Sequence, residues 1–432
     1  MVINPLSASH LIKTVRSGFE KIPDHRAANA KISLTDALMS GFAMFSLKDS
    51  SLLEFDERRE KDSNLKRIYG LADIPCDTQM RTILDPVSPT NLKPLFKDIF
   101  ETLQRGSILK QLVFMNGYYL LTLDGTGYFS SPKIHCASCL EKHRQTGEIT
   151  YAHQLLGGAI VHPDFKVVIP LAPEPIIKQD GATKNDCERN AAKRFFAQLR
   201  QDHPDLPFII TEDALSANAP HLAELAKYDL RYILGVKAGD HPFLFDYLEK
   251  AHQAGQTTTY EQTVKGVLHR FRFINQVPLN ASHQEVLVNV VEYWEIKGEQ
   301  TQYFCWITDL TVTRLNVFQI MRGGRTRWKI ENETFNTLKN QGYHFEHNYG
   351  HGQQHLSVVL ALLMMLAFLV DQVQQLASAL FQAVLQKEGS KKRLWEHTRA
   401  LFYTLEFASL EDIFRALLYG YKIENLVIFG ST

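Results

Sequence analysis

Two short apolar runs, each ending in an acid, constrain this 432-residue chain more than any other feature. Tyr118–Leu123 leads into Asp124-Gly125-Thr126, and Pro207–Thr211 leads into Glu212-Asp213. Short runs rich in aliphatic, β-branched and aromatic residues read as buried strands. An acid at the end of such a strand is costly to bury unless a positive charge meets it. Downstream, Arg327-Trp328-Lys329-Ile330-Glu331 sets an arginine one helical turn before a third acid, on nearly the same helix face. Three carboxylates arriving from two strands and a helix make the kind of oxygen cage that suits Mg²⁺. Such a cage supports two-metal phosphoryl transfer on nucleic acid.

The length allows two or three domains. With 45% hydrophobic and 22% charged residues the chain is an ordinary globular one. Lys+Arg and Asp+Glu both number 47, so no basic excess advertises a nucleic-acid partner. Positive charge is instead local. Arg322, Arg325, Arg327, Lys329 and Lys339 form one group, and Lys391, Lys392, Arg393 and Arg399 lie in a second run that begins at Lys387. A locally basic surface still attracts a phosphate backbone. The first residues carry no apolar signal core. Leu356–Val370, apolar but for Ser357, is shorter than the roughly 20 residues of a bilayer span and reads as a buried core helix. Five cysteines spread along the chain do not form a disulfide framework. These features predict a cytoplasmic protein with no membrane partner.

Residues 1–110 read as a helical region, either DNA-binding or a cap on the next domain, with Pro86 and Pro89 interrupting it. From 111 the pattern changes to strands at Tyr118–Leu123, Gly157–Val161, Lys166–Pro170, Phe208–Thr211 and Tyr232–Val236, with a charged helix at Lys184–Gln201. That order predicts an α/β fold, a mixed sheet with flanking helices. Within about 238–312 the extended runs Thr257–Val264, Val267–Ile274, Glu285–Trp294 and Gln302–Thr308 predict an antiparallel β insertion. Val317–Asn340 reads as helix. The catalytic region is taken to run over 111–375 and a helical C-terminal region over 376–432.

Asp124 in Leu-Asp-Gly-Thr, Asp213 in Thr-Glu-Asp-Ala and the Arg327–Glu331 segment together resemble the DDE transposases of bacterial insertion sequences. The branch concerned carries a Tyr-x2-Arg-x3-Glu-x6-Lys signature. Arg327 and Glu331 match its Arg-x3-Glu part, whereas Gly324 stands in place of its tyrosine and Lys339 falls one residue late. The resemblance implies a ribonuclease-H-like fold with the β insertion between the second and third acids. It also implies Asp124, Asp213 and Glu331 as catalytic ligands of two Mg or Mn ions. Its partners would be double-stranded DNA, as element ends and target, and a second copy of the chain in a homodimer on DNA. Arg327, Lys339 and Arg325 are the candidate DNA contacts. A related or domesticated nuclease, or a DNA-binding protein on the same fold, is the competing reading.

Cys136-x2-Cys139 is half of a zinc-binding pattern. Cys187 with His143 or His153 would complete a structural Zn site. His344, His347, His351 and His355 cluster with Glu346, but Gly350 and Gly352 break any helix that would align them, so a polar loop is expected there. Glu333 is the rival of Glu331. Two residues apart on a helix, they point about 200° apart and cannot share a site. Neither a His-Glu-x2-His zincin motif nor a phosphate-binding Gly-x4-Gly-Lys loop is present.

Overall fold

The computed structural model describes residues 4–59, 62–178 and 187–422, and divides into two compact units. One comprises residues 1–108 and 337–432, the other Leu109–Asn336. The first half of the helical unit holds α1 (Ala8–Phe19), α2 (Leu34–Leu47), α3 (Leu52–Arg58), α4 (Ser63–Tyr69), α5 (Asp77–Leu84) and α6 (Lys93–Arg105). Serine caps set several of these starts. Ser7, Ser33 and Ser51 accept from the backbone N–H groups of His10, Asp36 and Glu54, satisfying donors that a helix start leaves open.

The second unit is built on one sheet of eleven strands among the described residues. The strands are β1 (Tyr119–Ser131), β2 (Leu140–His143), β3 (Ile149–His162), β4 (Phe165–Pro170), β5 (Glu174–Ile176), β6 (Phe208–Glu212), β7 (Arg231–Gly235), β8 (Thr258–Val264), β9 (Val267–Asn280), β10 (His283–Lys297) and β11 (Gln300–Thr308). Its helices are α7 (Glu188–Asp202), α8 (Ala219–Lys227), α9 (Pro242–Gln253) and α10 (Val317–Arg325). The β1 and β3 strands are antiparallel, and β3 carries β2, β5 and β4 along its other edge. On the far side β6 runs parallel to β1, and β7 parallel to β6. The sheet then continues antiparallel through β11, β10, β9 and β8. These last four strands lie in sequence between Asp213 and Glu331. The α/β class and the mixed sheet match the sequence reading, while β2 and β5 are additional short strands that apolar runs did not reveal. Of the charged helix expected at Lys184–Gln201, residues 184–186 lie outside the described residues.

Two glycines let the layers close on this sheet. A side chain at Gly158 would stand 2.3 Å from Phe195 of α7, and one at Gly157 would stand 2.9 Å from Phe335. Both positions need a bare backbone because an aromatic ring occupies the space where Cβ would go.

The chain returns to the helical unit with α11 (Asn336–Asn340), followed by α12 (Leu356–Ala377), α13 (Ala379–Glu388), α14 (Lys391–Thr404) and α15 (Leu410–Tyr419). By length and composition α12 could cross a membrane, but its apolar residues are buried inside the unit. It packs against α2, α5 and α6. Residues 337–375 therefore belong with the helical unit, not with the sheet as the sequence division had them. The carboxylate of Asp85 starts α12, accepting from the N–H groups of Gln353, Gln354, His355 and Leu356 at 2.9–3.1 Å.

Candidate active site

Parallel pairing explains how two distant acids arrive together. Thr122 of β1 is in register with Thr211 of β6, and Asp124 and Asp213 each lie two residues later. With a side-chain period of two, both carboxylates leave neighbouring strands at one level and on one face. Each also accepts from a nearby backbone N–H. Oδ1 of Asp124 accepts from the Gly125 N–H at 2.9 Å, and Oδ1 of Asp213 accepts from the Leu215 N–H at 3.0 Å. This local contact and delivery to the site are compatible, because each uses one oxygen for the backbone N–H.

The third acid arrives by an irregular route. The helix expected over Val317–Asn340 is broken: α10 stops at Arg325, a tight turn follows, and Ile330–Phe335 forms a wide π-helical turn carrying Glu331. Such turns recur at functional sites because they re-aim a side chain that a regular helix would turn away. Gly323 and Gly324 hold α10 close to the sheet, where a Cβ would fall 2.9 Å from Ile233 and 2.5 Å from the Trp306 indole nitrogen. The Thr122 hydroxyl donates to the Arg327 carbonyl at 3.3 Å, fastening the turn to β1. Phe335 and Ile330 rest over Gly157, the residue paired with Asp124.

Arg327 joins the acids. Its Nη1 lies 2.8 Å from Glu331 Oε1 and 3.5 Å from Asp124 Oδ2, while the guanidinium packs 4.1 Å from the centre of the Trp328 ring. Burial first, and then the Glu331 carboxyl hydrogen-bonded to it, push Asp124 up to about 7, with Arg327 opposing. A fourth acid, Glu188, enters from the first turn of α7. A Cβ at Gly125 would lie 2.2 Å from its Oε1, so glycine lets this carboxylate reach the β1 backbone. Partial burial, followed by Asp213 and Glu212, raises Glu188 above the usual carboxylate range. Glu212 has its own partner. It is buried with its Oε2 2.6 Å from His221 Nε2, and against the burial that opposes charge on the ring, this carboxylate holds His221 above its ordinary value.

Asp124, Glu212 and Asp213 floor a cleft with two lobes. One is walled by Glu188, Arg189, Ser216 and His221, the other by Lys237, Tyr303, Trp306, Arg325, Trp328 and Glu331. The residues fit a divalent cation. The donors are carboxylate oxygens, and Asp124 and Glu331 both approach the same Arg327 nitrogen, so a further cation among these acids would offset their like charge.

The other sequence candidates have varied surroundings. Arg325 stands in the cleft wall, 3.3 Å from Glu295 and over the Phe304 ring. Lys339 lies in the helical unit, 2.8 Å from Glu346, and lines a cleft there with Lys48, Lys392, Trp395 and Arg399. In the second basic run Arg399 donates to the carbonyls of Leu47 and Lys48, and Lys387 donates to those of Leu417 and Leu418, so part of that charge closes helix ends. His344, His347, His351 and His355 lie between α11 and α12, in a loop as expected. Glu333 does not line the cleft. The expected zinc set does not assemble. Cys187 is exposed in the cleft beside Glu188, and His143 sits on the surface 3.5 Å from Glu141, whereas Cys136 and Cys139 meet His153. The sequence reading passed over Glu188 and the Glu212–His221 pair. An acid in a first helical turn reads as a complement to the helix dipole, so only the contact with Gly125 exposes its place in the site.

No family model and no curated protein matches the chain. Among solved structures, the NurA nuclease from Sulfolobus solfataricus is similar over 56% of this chain and 86% of that chain, with 10% identity and a TM-score of 0.24. A likeness of that size carries no argument about fold or activity.

Proposed function

We propose that this chain is a divalent-metal-dependent DNA transposase of the DDE type, working on a ribonuclease-H-like sheet with Asp124, Asp213 and Glu331. The observation that carries this reading is their convergence. Two acids lie two residues beyond an in-register pair on adjacent parallel strands, and the third is joined to the first through Arg327. The strand order β4-β3-β1-β6-β7, antiparallel in its first three members and parallel from β1 to β7, supports the ribonuclease-H-like reading.

Held by the three acids, Mg or Mn ions would supply Lewis-acid activation of the attacking oxygen and the leaving oxygen of a phosphodiester. The protein's own groups do the rest. Arg327 fixes Glu331 and Asp124 relative to each other, so the oxygens are set before substrate arrives. Trp328, about half exposed at the rim, offers a ring face for an unpaired base, and Arg325 and Lys237 offer cations to phosphate. Water would attack phosphorus and break the P–O3′ bond, leaving a 3′-hydroxyl and a 5′-phosphate. That hydroxyl would then attack a target phosphodiester, expelling its 3′-oxygen.

The test incubates purified full-length protein with DNA carrying the native flanks of its coding region, with Mg²⁺ or with a chelator. Metal-dependent cuts that leave 3′-hydroxyls and are followed by joining to target DNA are expected. Asp124→Asn should lose them by about a thousandfold or more, the equivalent of several kcal/mol of transition-state stabilisation. Cutting without joining would assign the chain to hydrolysis alone, and full activity in Asp124→Asn would overturn the reading.

A further inference from the structure

The loop that leaves β1 turns back through Cys136 and Cys139 and meets β3 at His153. The two sulfurs lie 3.8 Å apart, and each lies 3.4 Å from His153 Nε2. All three side chains are buried, His153 with 1% of its surface exposed. The separation excludes a disulfide, whose sulfurs sit at about 2.05 Å. It does match three corners of a tetrahedron. With Zn–S near 2.3 Å and Zn–N near 2.05 Å, tetrahedral angles place two sulfurs about 3.8 Å apart and sulfur and nitrogen about 3.6 Å apart. The backbone curls tightly around the pair. The Cys136 N–H points at Cys139 Sγ at 3.4 Å, and the Cys139 N–H donates to the Cys136 carbonyl at 3.2 Å. An N–H aimed at a sulfur stabilises the thiolate form that a metal requires. The imidazole is held in orientation by Tyr128, stacked with a centroid distance of 5.9 Å, and by Phe129 at the same distance.

The geometry points to a structural zinc site in which Cys136 Sγ, Cys139 Sγ and His153 Nε2 bind one soft divalent cation. Two thiolates and an imidazole select Zn²⁺ over the oxygen-seeking ions suited to the acidic cleft. The site is separate from that cleft: in the β1–β3 register Asp124 pairs with Gly157, four residues beyond His153 on β3. It ties the β1–β2 connection to the middle of β3, replacing weak thiol contacts with metal–ligand bonds. Neither Cys187 nor His143 takes part.

The test measures metal in the full-length protein after exchange into zinc-containing buffer and removal of loosely held ions. One zinc per chain is expected. Cobalt substitution should give thiolate-to-metal charge-transfer bands of the intensity of two sulfurs. Cys136→Ser and His153→Ala should each lose the zinc, while Cys187→Ser and His143→Ala should keep it. If the first two variants do not fold, the wild-type stoichiometry and the cobalt spectrum still decide. Protein that binds no zinc, a Cys136–Cys139 disulfide found by mass spectrometry, or loss of zinc in Cys187→Ser would overturn the proposal. None of these readouts depends on DNA cleavage.

Discussion

In the helical unit the ammonium of Lys48, fully buried, lies 2.5 Å from Asp371, which also accepts from the Tyr343 hydroxyl; Asp49 beside it meets Arg58 and the Tyr403 hydroxyl. In the sheet unit Asp124, Glu188, Asp213 and Glu331 share one cleft floor, and Arg327 is the cation that touches two of them. The first holds its charges away from water, whereas the cleft acids are half-buried or exposed. The first matches each buried acid with a cation and a hydroxyl donor, the pattern of a structural network. The second leaves acids in excess, and neighbouring carboxylates are unfavourable unless a further cation joins them. The difference separates a polar core that specifies packing from a site prepared for something it does not itself contain.

Exchanging one acid in each region breaks the comparison most directly. Asp124→Asn should abolish metal-dependent cleavage yet leave stability unchanged or raised, because it removes one of the repelling charges. Asp371→Ala should do the reverse. Stranding Lys48 in the core should cost about 3–5 kcal/mol, read by denaturant unfolding. Equal destabilisation by both changes would show that the cleft acids are structural after all.

The pH dependence of the helical unit sharpens the same contrast. Burial pushes Asp49 up to about 7, with Arg58 opposing. Between the ordinary carboxylate value near 4 and this one, the folded state binds more protons than the unfolded state. Stability should therefore fall as pH rises from about 4 to about 7 and level off above. A shift of that size corresponds to a few kcal/mol at most. Hydrogen exchange of the α2 amides would follow it, and Asp49→Asn should flatten the profile. An unchanged slope in that variant would assign the effect to another group.

Divalent metal should separate the units next. A cation that binds only the folded cleft stabilises it by about 2.7 kcal/mol at a hundredfold excess over its dissociation constant. Mg²⁺ should slow exchange in β1 and β6, leave α2 unaffected, and lose its effect in Asp124→Asn. Protection spread evenly over both units would indicate non-specific binding.

The parts of this arrangement visible in the sequence are those governed by local pattern. Apolar runs revealed the first half of β1, β6, β7 and the four antiparallel strands after Asp213, and the acids that follow such runs singled out Asp124 and Asp213, although β1 continues past Asp124 to Ser131. What stayed hidden depends on partners distant along the chain. The close seating of α10, where Trp306 and Ile233 lie in the space glycine side chains would take, depends on residues well removed from it in sequence. Between His143 and His153 the spacing left the choice open; His153 meets the cysteine pair because β3 returns alongside β1, with His153 opposite Phe129. The division of the chain failed at 337–375 because an apolar helix announces burial without saying in which core.

The smallest expected effect tests whether the site's position rests on that tight packing. Gly324→Ala places a Cβ 2.5 Å from the Trp306 indole nitrogen, so the indole or α10 must move. Overpacking of this kind costs about 1–3 kcal/mol. The turn that carries Arg327 and Glu331 begins at Thr326, two residues on, so any shift of α10 is passed directly to the third acid. Cleavage should therefore fall more than global stability, with a weakened response to Mg²⁺. A matching alanine at Gly41 in the helical unit, where Leu363 lies 2.9 Å from the added Cβ, should cost comparable stability. It should leave cleavage by the remaining folded protein unaltered, because that contact lies between two helices of the other unit. If Gly324→Ala lowered stability and left cleavage intact, the glycine pair would be a packing device with no part in aiming Glu331.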